Sequence, residues 1–242
     1  MTAEGVRVPA PGGPLPAYLA TPAGSGPWPG VVVLHDLVGM SQDLRNQVDW
    51  LADAGYLAVA PDLFRGSRRP ACMFRMIRET WRQEGPTFVD IQAVGSWLTD
   101  RPDCTGRAGV IGFCMGGGFA LLLAADHRFD AASVNYGPVA TKTYTEDTFT
   151  DACPIVASYG AKDPGLRGAG DRLARILTAV GVDHDVKTYP DAGHAFMNDH
   201  DRADLPALFA VQFRLTGNPY REQSALDARR RILDFFGAHL RP

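Results

Sequence analysis

The 242-residue chain carries a formal net charge of −3, with 24 basic residues against 27 acidic ones. Hydrophobic residues make up 45% of the chain and charged residues 21%, which is ordinary globular composition and excludes a disordered chain. A dedicated nucleic-acid binder would normally be basic, so this class is disfavoured. At this length we expect one domain over residues 1–242.

The cysteines and the N-terminus predict a reducing, cytoplasmic location. No C-x-x-C pair occurs, which argues against a zinc site and against a thioredoxin-like site. Residues 1–22 lack a basic stretch followed by an apolar one, so no secretory signal is predicted. Residues 108–125 carry no charge, but their glycines favour a buried strand turning into a helix over a membrane span. We therefore expect free thiols and no membrane partner.

Extended and helical segments alternate along the chain. Two extended segments within residues 5–22, around a Pro-Gly-Gly turn, predict a hairpin at a sheet edge. The apolar runs at 30–35 and 56–60 predict buried strands, with a helix at 43–54 between them. Further strands are predicted at 108–113, 131–136, 154–159 and 182–189, and further helices at 73–83, 86–99, 115–125, 168–180 and 226–240. This alternation predicts an α/β fold with a mostly parallel central sheet and helices on both faces. Catalytic groups of such folds follow the carboxyl ends of the strands.

A G-x-C-x-G sequence follows the strand predicted at 108–113. The turn from strand to helix is sharp in this motif, so the central residue, Cys114, is strained and its neighbours two positions away must be small. The next helix points its N–H groups at the sulfur, which favours the nucleophilic thiolate. The alternative is a small buried hydrophobe, but the strand before and the helix after Cys114 favour a nucleophile.

Asp163 and His194 follow the last two predicted parallel strands. A Gly-His sequence after the last strand is where this architecture has its general base. Asp163 would hold the His194 tautomer that can take a proton from sulfur. Alternatively, Asp163 starts a turn before Pro164, and Asp191 is a rival acid. The order Cys, Asp, His is the chain order of nucleophile, acid and base in such hydrolases. The other histidines are expected to be satisfied or exposed: His35, His127, His184, His200 and His239.

Acyl transfer also needs two N–H donors for the developing negative charge on the carbonyl oxygen. We expect one from Met115, directly after the nucleophile, and one from Leu37, in the loop after the strand at 30–35. The neighbouring Asp36 either reaches towards Cys114, where its charge would disfavour the thiolate, or serves as a cap or turn residue.

These motifs resemble those of the dienelactone hydrolase family of α/β hydrolases. The matching sequences are HDLVG at 35–39, APDLF at 60–64, GFCMGG at 112–117, YGAKD at 159–163 and AGHAF at 192–196. The resemblance runs in order over residues 5–240 and implies the α/β-hydrolase fold. It also implies a triad of Cys114, Asp163 and His194, and an oxyanion hole formed by Leu37 and Met115.

The sequence departs from the family pattern around the substrate. The family has Glu, thought to bond the resting thiol, where this chain has Asp36. Members that open dienelactones have an Arg shortly after the catalytic His, but residues 196–198 here read Phe-Met-Asn. Arg75 and Arg78 lie near the position of a second substrate-binding Arg without aligning cleanly. The candidate pocket and gating residues are Asp36, Phe113, Phe196, Arg75 and Arg78.

Two further segments allow alternative interpretations. Residues 65–82 carry six arginines against one acid, Glu79, and either steer an anionic substrate or form a solvated basic face. Residues 197–222, with the aromatic Phe209, Phe213 and Tyr220, either cap the site or make a dimer contact. Both a monomer and a homodimer therefore stay open.

The sequence thus predicts a cysteine-dependent hydrolase of a lactone, ester or thioester that works through an acyl-enzyme. Its partner is a small-molecule substrate, with water or another molecule as acyl acceptor. No metal or organic cofactor and no nucleic acid are implied. The alternatives are a non-catalytic binding protein and a redox sensor using Cys114. The complete triad argues against the first, and the lack of an obvious resolving cysteine argues against the second.

Overall fold

A computed structural model describes residues 1–67, 70–201, 205 and 219–241. Its strands are β1 (Thr2–Val8), β2 (Leu15–Thr21), β3 (Trp28–Leu34), β4 (Leu57–Pro61), β5 (Cys104–Phe113), β6 (Ala131–Asn135), β7 (Ile155–Gly160) and β8 (His184–Tyr189). Its helices are α1 (Gln42–Asp53), α2 (Pro70–Arg82), α3 (Pro86–Thr99), α4 (Met115–Ala125), the short α5 (Glu146–Phe149), α6 (Ala169–Val180) and α7 (Glu222–Leu240). Two 3₁₀ turns cover Thr141–Thr143 and Pro164–Leu166.

The strands form one sheet in the order β1-β2-β4-β3-β5-β6-β7-β8. The hairpin β1–β2 is antiparallel and lies at the edge, and β2 pairs antiparallel with β4. The pairs from β4 through β8 are parallel. The predicted α/β fold with a mostly parallel sheet is confirmed.

Helices cover both faces of the sheet, because successive side chains of each central strand point to opposite faces. Val32 and Leu34 of β3 face a core that includes apolar residues of α3, α4 and α6. Val31 and Val33 face a second core that includes residues of α1 and α7. In the described part of the chain, no helix has the length and apolarity that crossing a membrane requires.

The boundaries differ from the sequence expectations at a few places. β5 begins at Cys104, four residues before the apolar run, because Cys104 pairs with Trp28 across an irregularity in the register. The intervening residues 105–107 are polar or glycine and largely exposed, so no apolar pattern marks them as strand. α7 begins at Glu222 rather than at Leu226. The sequence also favours mostly helical structure from about Asp204 onwards, but many of the residues before α7 lie outside the described ranges.

Candidate active site

Cys114 occupies the sharp turn between β5 and α4. Its backbone has φ 52° and ψ −118°, a conformation that residues other than glycine rarely adopt and that costs about 1–3 kcal/mol. A side chain at Gly112 would collide with the carbonyl oxygen of Gly116, so the turn can form only with glycine there. The Cys114 N–H donates to the Asn135 carbonyl oxygen at 3.1 Å, which ties the turn to the end of β6.

His194 links Cys114 to Asp163. Its Nε2 lies 3.0 Å from the Cys114 Sγ, and its Nδ1 lies 2.6 Å from Asp163 Oδ2. The other oxygen of Asp163 accepts from the Gly165 N–H at 3.0 Å, so the residue also starts a turn. Asp163 therefore both contacts His194 and starts the turn before Pro164, so the two interpretations of this residue hold together. The rival acid, Asp191, instead accepts a hydrogen bond from the Ser224 hydroxyl.

The surroundings of His194 favour its protonated form. Burial lowers the pKa of the imidazole, but hydrogen bonds and charge attraction from Asp163 and Cys114 outweigh burial and raise it to about 10. The Asp163 carboxylate is buried and lies against Nδ1, so it stabilises an imidazolium in this orientation. A protonated His194 beside sulfur is the partner that a thiolate requires.

The loop after β3 lies against the first turn of α4. A Cβ atom on Gly116 would overlap the Leu34 carbonyl oxygen and lie 2.7 Å from that of His35. This close approach brings the segment that leads into Leu37 against the turn that carries Cys114 and Met115. Met115 is the first residue of α4, and amides of a first helical turn have no carbonyl partner within the helix. The arrangement fits an oxyanion hole built from the two backbone N–H groups.

Asp36 is buried and contacts a histidine that the sequence did not connect with it. Its Oδ1 accepts from the Val38 N–H at 2.8 Å, as in a turn. Its Oδ2 lies 2.6 Å from Nε2 of His200, and both side chains are less than 10% exposed. The two residues are 164 positions apart, so spacing along the chain carries no signal of the contact.

Phe113 and Phe196 are fully buried, so neither presents surface to a substrate in this structure. Phe113 points into the core on the α1 and α7 face, because side chains alternate along β5 and Cys114 follows it. Phe196 packs against the rings of Tyr136 and Tyr189. Both candidate pocket side chains thus belong to the core on the α1 and α7 face.

Tyr136 is a buried side chain of the site that sequence analysis missed. It follows β6 with φ 41°, and its ring centroid lies 5.4 Å from that of His194. Burial and the negative charges of Asp43, Asp36 and Cys114 raise the pKa of its hydroxyl well above the usual value. The hydroxyl donates to Asn198 Oδ1 at 2.5 Å, and Asn198 Nδ2 donates to Asp43. Asn198 therefore faces the interior.

The candidate arginines on α2 have different surroundings. Arg75 Nε lies 3.5 Å from the buried carboxylate of Glu79, whereas Arg78 is exposed. Arg65, from the same basic segment, pairs with Asp90 at 2.7 Å. A carboxylate is thus already present beside two of the six arginines. Arg68 and Arg69 lie outside the described residues, as do Phe209 and Phe213 of the later aromatic segment.

Comparison with known proteins places this site in a family. A sequence model described as the dienelactone hydrolase family matches residues 15–240. The chain belongs to this family. It is accordingly a hydrolase of the ester and lactone type, with an α/β-hydrolase fold.

Relatives and solved structures agree with this membership. A Yersinia pestis protein assigned as a carboxymethylenebutenolidase is 30% identical, over 96% of this chain and 86% of its own length. A Klebsiella pneumoniae structure assigned as a dienelactone hydrolase is 28% identical, with a TM-score of 0.77 and 98% of both chains covered. A dienelactone hydrolase-like promiscuous phosphotriesterase from metagenomic libraries shares the fold, with a TM-score of 0.81, 20% identity and 99% of both chains covered.

Proposed function

We propose that this dienelactone hydrolase family member hydrolyses a small ester, thioester or lactone through an acyl-enzyme on Cys114. The observation that carries the proposal is the continuous contact from the Cys114 sulfur through the His194 ring to the Asp163 carboxylate, at 3.0 and 2.6 Å. This is the arrangement of nucleophile, base and orienting acid that covalent catalysis requires.

The first half of the reaction forms a thioester. The Cys114 thiolate attacks the substrate carbonyl carbon, and the carbonyl π electrons move to oxygen. The N–H groups of Leu37 and Met115 stabilise this oxyanion. When the carbonyl re-forms, the bond to the leaving oxygen or sulfur breaks and the leaving group takes the proton from His194. In a lactone the leaving alkoxide stays attached to the acyl group.

The second half releases the acid. Neutral His194 removes a proton from water as the water oxygen attacks the thioester carbonyl carbon. Collapse of this second oxyanion breaks the carbon–sulfur bond and leaves the carboxylic product, which ionises in solution. The Cys114 thiolate and the protonated His194 are restored. An acceptor other than water would follow the same steps.

Two of the three other cysteines are poorly suited to the resolving role that a redox sensor needs. The four cysteines are free, and burial raises the pKa of Cys153 to about 12 and also raises that of Cys104. A resolving cysteine must react as a thiolate, and the raised pKa values of Cys104 and Cys153 disfavour that form. The free thiols also fit a reducing cytoplasm.

The test follows the release of p-nitrophenol from p-nitrophenyl acetate, with a simple enol-lactone as second substrate. We expect turnover by the wild type and a loss of at least about 10³-fold in Cys114→Ala, because the covalent route then has no nucleophile. Cys72→Ala, a half-buried cysteine on α2, is the matched control and should keep wild-type activity. Equal turnover by wild type and Cys114→Ala would overturn the proposal.

A further inference from the structure

Two histidines contact Asp36, next to the proposed oxyanion hole: the preceding residue, His35, and the distant His200. His35 contacts the Asp36 carbonyl oxygen through Nδ1 at 2.6 Å. His200, from the loop after β8, contacts the Asp36 carboxylate through Nε2 at 2.6 Å. All three residues are buried. Neither histidine takes part in the acyl-transfer steps described above, although both contact the residue that precedes Leu37.

The proton on the His35 ring follows from its partners. The Leu63 N–H donates to Nε2 at 3.2 Å, so Nε2 presents its lone pair. A neutral imidazole then carries its proton on Nδ1, which donates to the Asp36 carbonyl oxygen. The Gly39 N–H donates to the same oxygen at 3.3 Å. Two donors therefore fix the direction of this carbonyl.

The direction of the Asp36 carbonyl also sets that of the Leu37 N–H. The peptide bond between the two residues is trans, because the only cis bond within the described residues precedes Pro27. In a trans peptide the carbonyl oxygen and the amide hydrogen point to opposite sides. A rotation of the Asp36–Leu37 peptide plane would therefore also turn the Leu37 N–H.

His200 restrains the same peptide through the Asp36 side chain. A carboxylate only accepts hydrogen bonds, so His200 Nε2 donates to Oδ2, while the Val38 N–H donates to Oδ1. The carboxylate therefore joins the turn at 36–38 to the loop that carries His194. With the carbonyl held by His35 and the carboxylate held by His200, Asp36 has little freedom to rotate.

We propose that His200 is a positioning residue of the oxyanion hole, which acts through Asp36 to keep the Leu37 N–H aimed at the substrate carbonyl. The inference rests on the proposed function, because this role needs a reaction that develops charge on a carbonyl oxygen, as acyl transfer does. It also assigns the Asp36 carboxylate to His200, while the Cys114 thiol contacts His194.

Two reactions of Cys114 separate positioning of the oxyanion hole from general damage to the site. Acylation by p-nitrophenyl acetate passes through an oxyanion, whereas alkylation by iodoacetamide occurs at a saturated carbon and does not. In His200→Leu we expect acylation to slow by about 10- to 100-fold, because a misaimed donor loses part of its stabilisation. Alkylation should stay within about twofold of wild type, since Cys114 and His194 are unchanged.

Two further variants control for the substitution. His200→Gln keeps an N–H donor on a side chain of similar reach and should recover most of the acylation rate. His239→Leu removes another His–Asp contact, the 3.2 Å pair with Asp183, and should acylate as wild type does. A parallel loss of acylation and alkylation in His200→Leu, or no loss of either, would overturn the positioning role.

Hydrogen–deuterium exchange tests, independently of activity, whether His200 restrains the backbone around Asp36. Loss of the His200 contact should speed deuterium uptake in a peptide covering residues 36–40, but not in one covering β1. If the wild type is not acylated at all, the proposed function fails. In that case, unchanged deuterium uptake in His200→Leu would also overturn the restraint of Asp36 by His200, and faster uptake in residues 36–40 would support this restraint.

Discussion

The charge on His194 is the property of a single residue on which the proposed chemistry depends most. Asp163 and Cys114 raise its pKa from 6.5 to about 10, against the effect of burial. A raised folded-state pKa means that the folded protein binds this proton more tightly than the unfolded chain does. The resulting stabilisation is fully present below pH 6.5 and is lost as the pH rises through about 10.

A comparison of wild type with His194→Gln tests this proton linkage. The wild type should exceed the variant in free energy of unfolding by an amount that shrinks steadily between pH 6.5 and 10. Urea unfolding at several pH values measures the difference. In a Cys114→Ala background the decline should move to lower pH, because one of the two groups that raise the pKa of His194 is gone. A constant difference over this range would contradict the assignment.

The contacts among Cys114, His194 and Asp163 could be predicted from the sequence, because each of these residues is marked by a local motif next to a strand end. The pairs Asp36–His200 and Tyr136–Asn198 could not, because their members are separated by 164 and 62 positions and no motif links one partner to the other. The sequence analysis places Phe113 and Phe196 among the candidate pocket residues, next to Cys114 and near His194 in the chain. A strand and a turn, however, point adjacent side chains in different directions.

Among the structural elements, α1, β6 and the loop after β8 are joined by one buried polar network. Asn198 accepts from the Tyr136 hydroxyl at the end of β6 and donates to Asp43 in the first turn of α1 at 2.6 Å. The Asp199 N–H donates to the same carboxylate at 3.0 Å. Because Tyr136, Asn198 and Asp43 are buried, this network fixes the His194 loop against the sheet only while each of these side chains has its hydrogen-bond partner.

Asn198→Ala should destabilise the protein by about 2–4 kcal/mol, since it leaves a buried hydroxyl and part of a buried carboxylate unsatisfied. Denaturant unfolding provides the measurement. Asn46→Ala, which removes an exposed contact with Gln42 on α1, should cost less than about 0.5 kcal/mol. Equal effects of the two substitutions would show that the buried network does not hold the loop.

The order of the elements could be read from apolar runs, but the additional length of β5 could not. Cys104 joins the sheet through a register irregularity opposite Trp28, and the residues between it and Ala108 are polar or glycine. The register shifts over these residues, since Cys104 pairs with Trp28 and Ala108 with Gly30, and Gly106 has φ 85°. The short α5 carries too few residues for a helical period to be visible.

For the molecule as a whole, α7 is fastened to the sheet by a half-buried arginine. Arg231 donates to the Asp185 carboxylate and carbonyl, both at 2.8 Å, and to the hydroxyls of Ser158 and Tyr189. These partners belong to β7 and β8, whose ends carry Asp163 and His194. The C-terminal helix thus supports the two strands that precede Asp163 and His194.

Arg231→Met should lower the free energy of unfolding by about 1.5–3 kcal/mol, the range expected for lost hydrogen bonds to charged groups. Arg230→Met is the matched control, because Arg230 is 71% exposed and pairs only at the surface with Asp227. Thermal or denaturant unfolding of both variants measures the difference. Comparable stability of the two variants would show that Arg231 does not fasten α7.

The loop after β8 serves a different region at every second residue. His194 meets Cys114, Phe196 enters the core, Asn198 joins β6 to α1, and His200 reaches the loop after β3. Surface loops usually tolerate insertions, but one extra residue between 194 and 200 would put several of these contacts out of phase together. The length of this segment is therefore under a constraint that its place between a strand and the last helix does not reveal, because the side chains at 194, 196, 198 and 200 reach four separate partners.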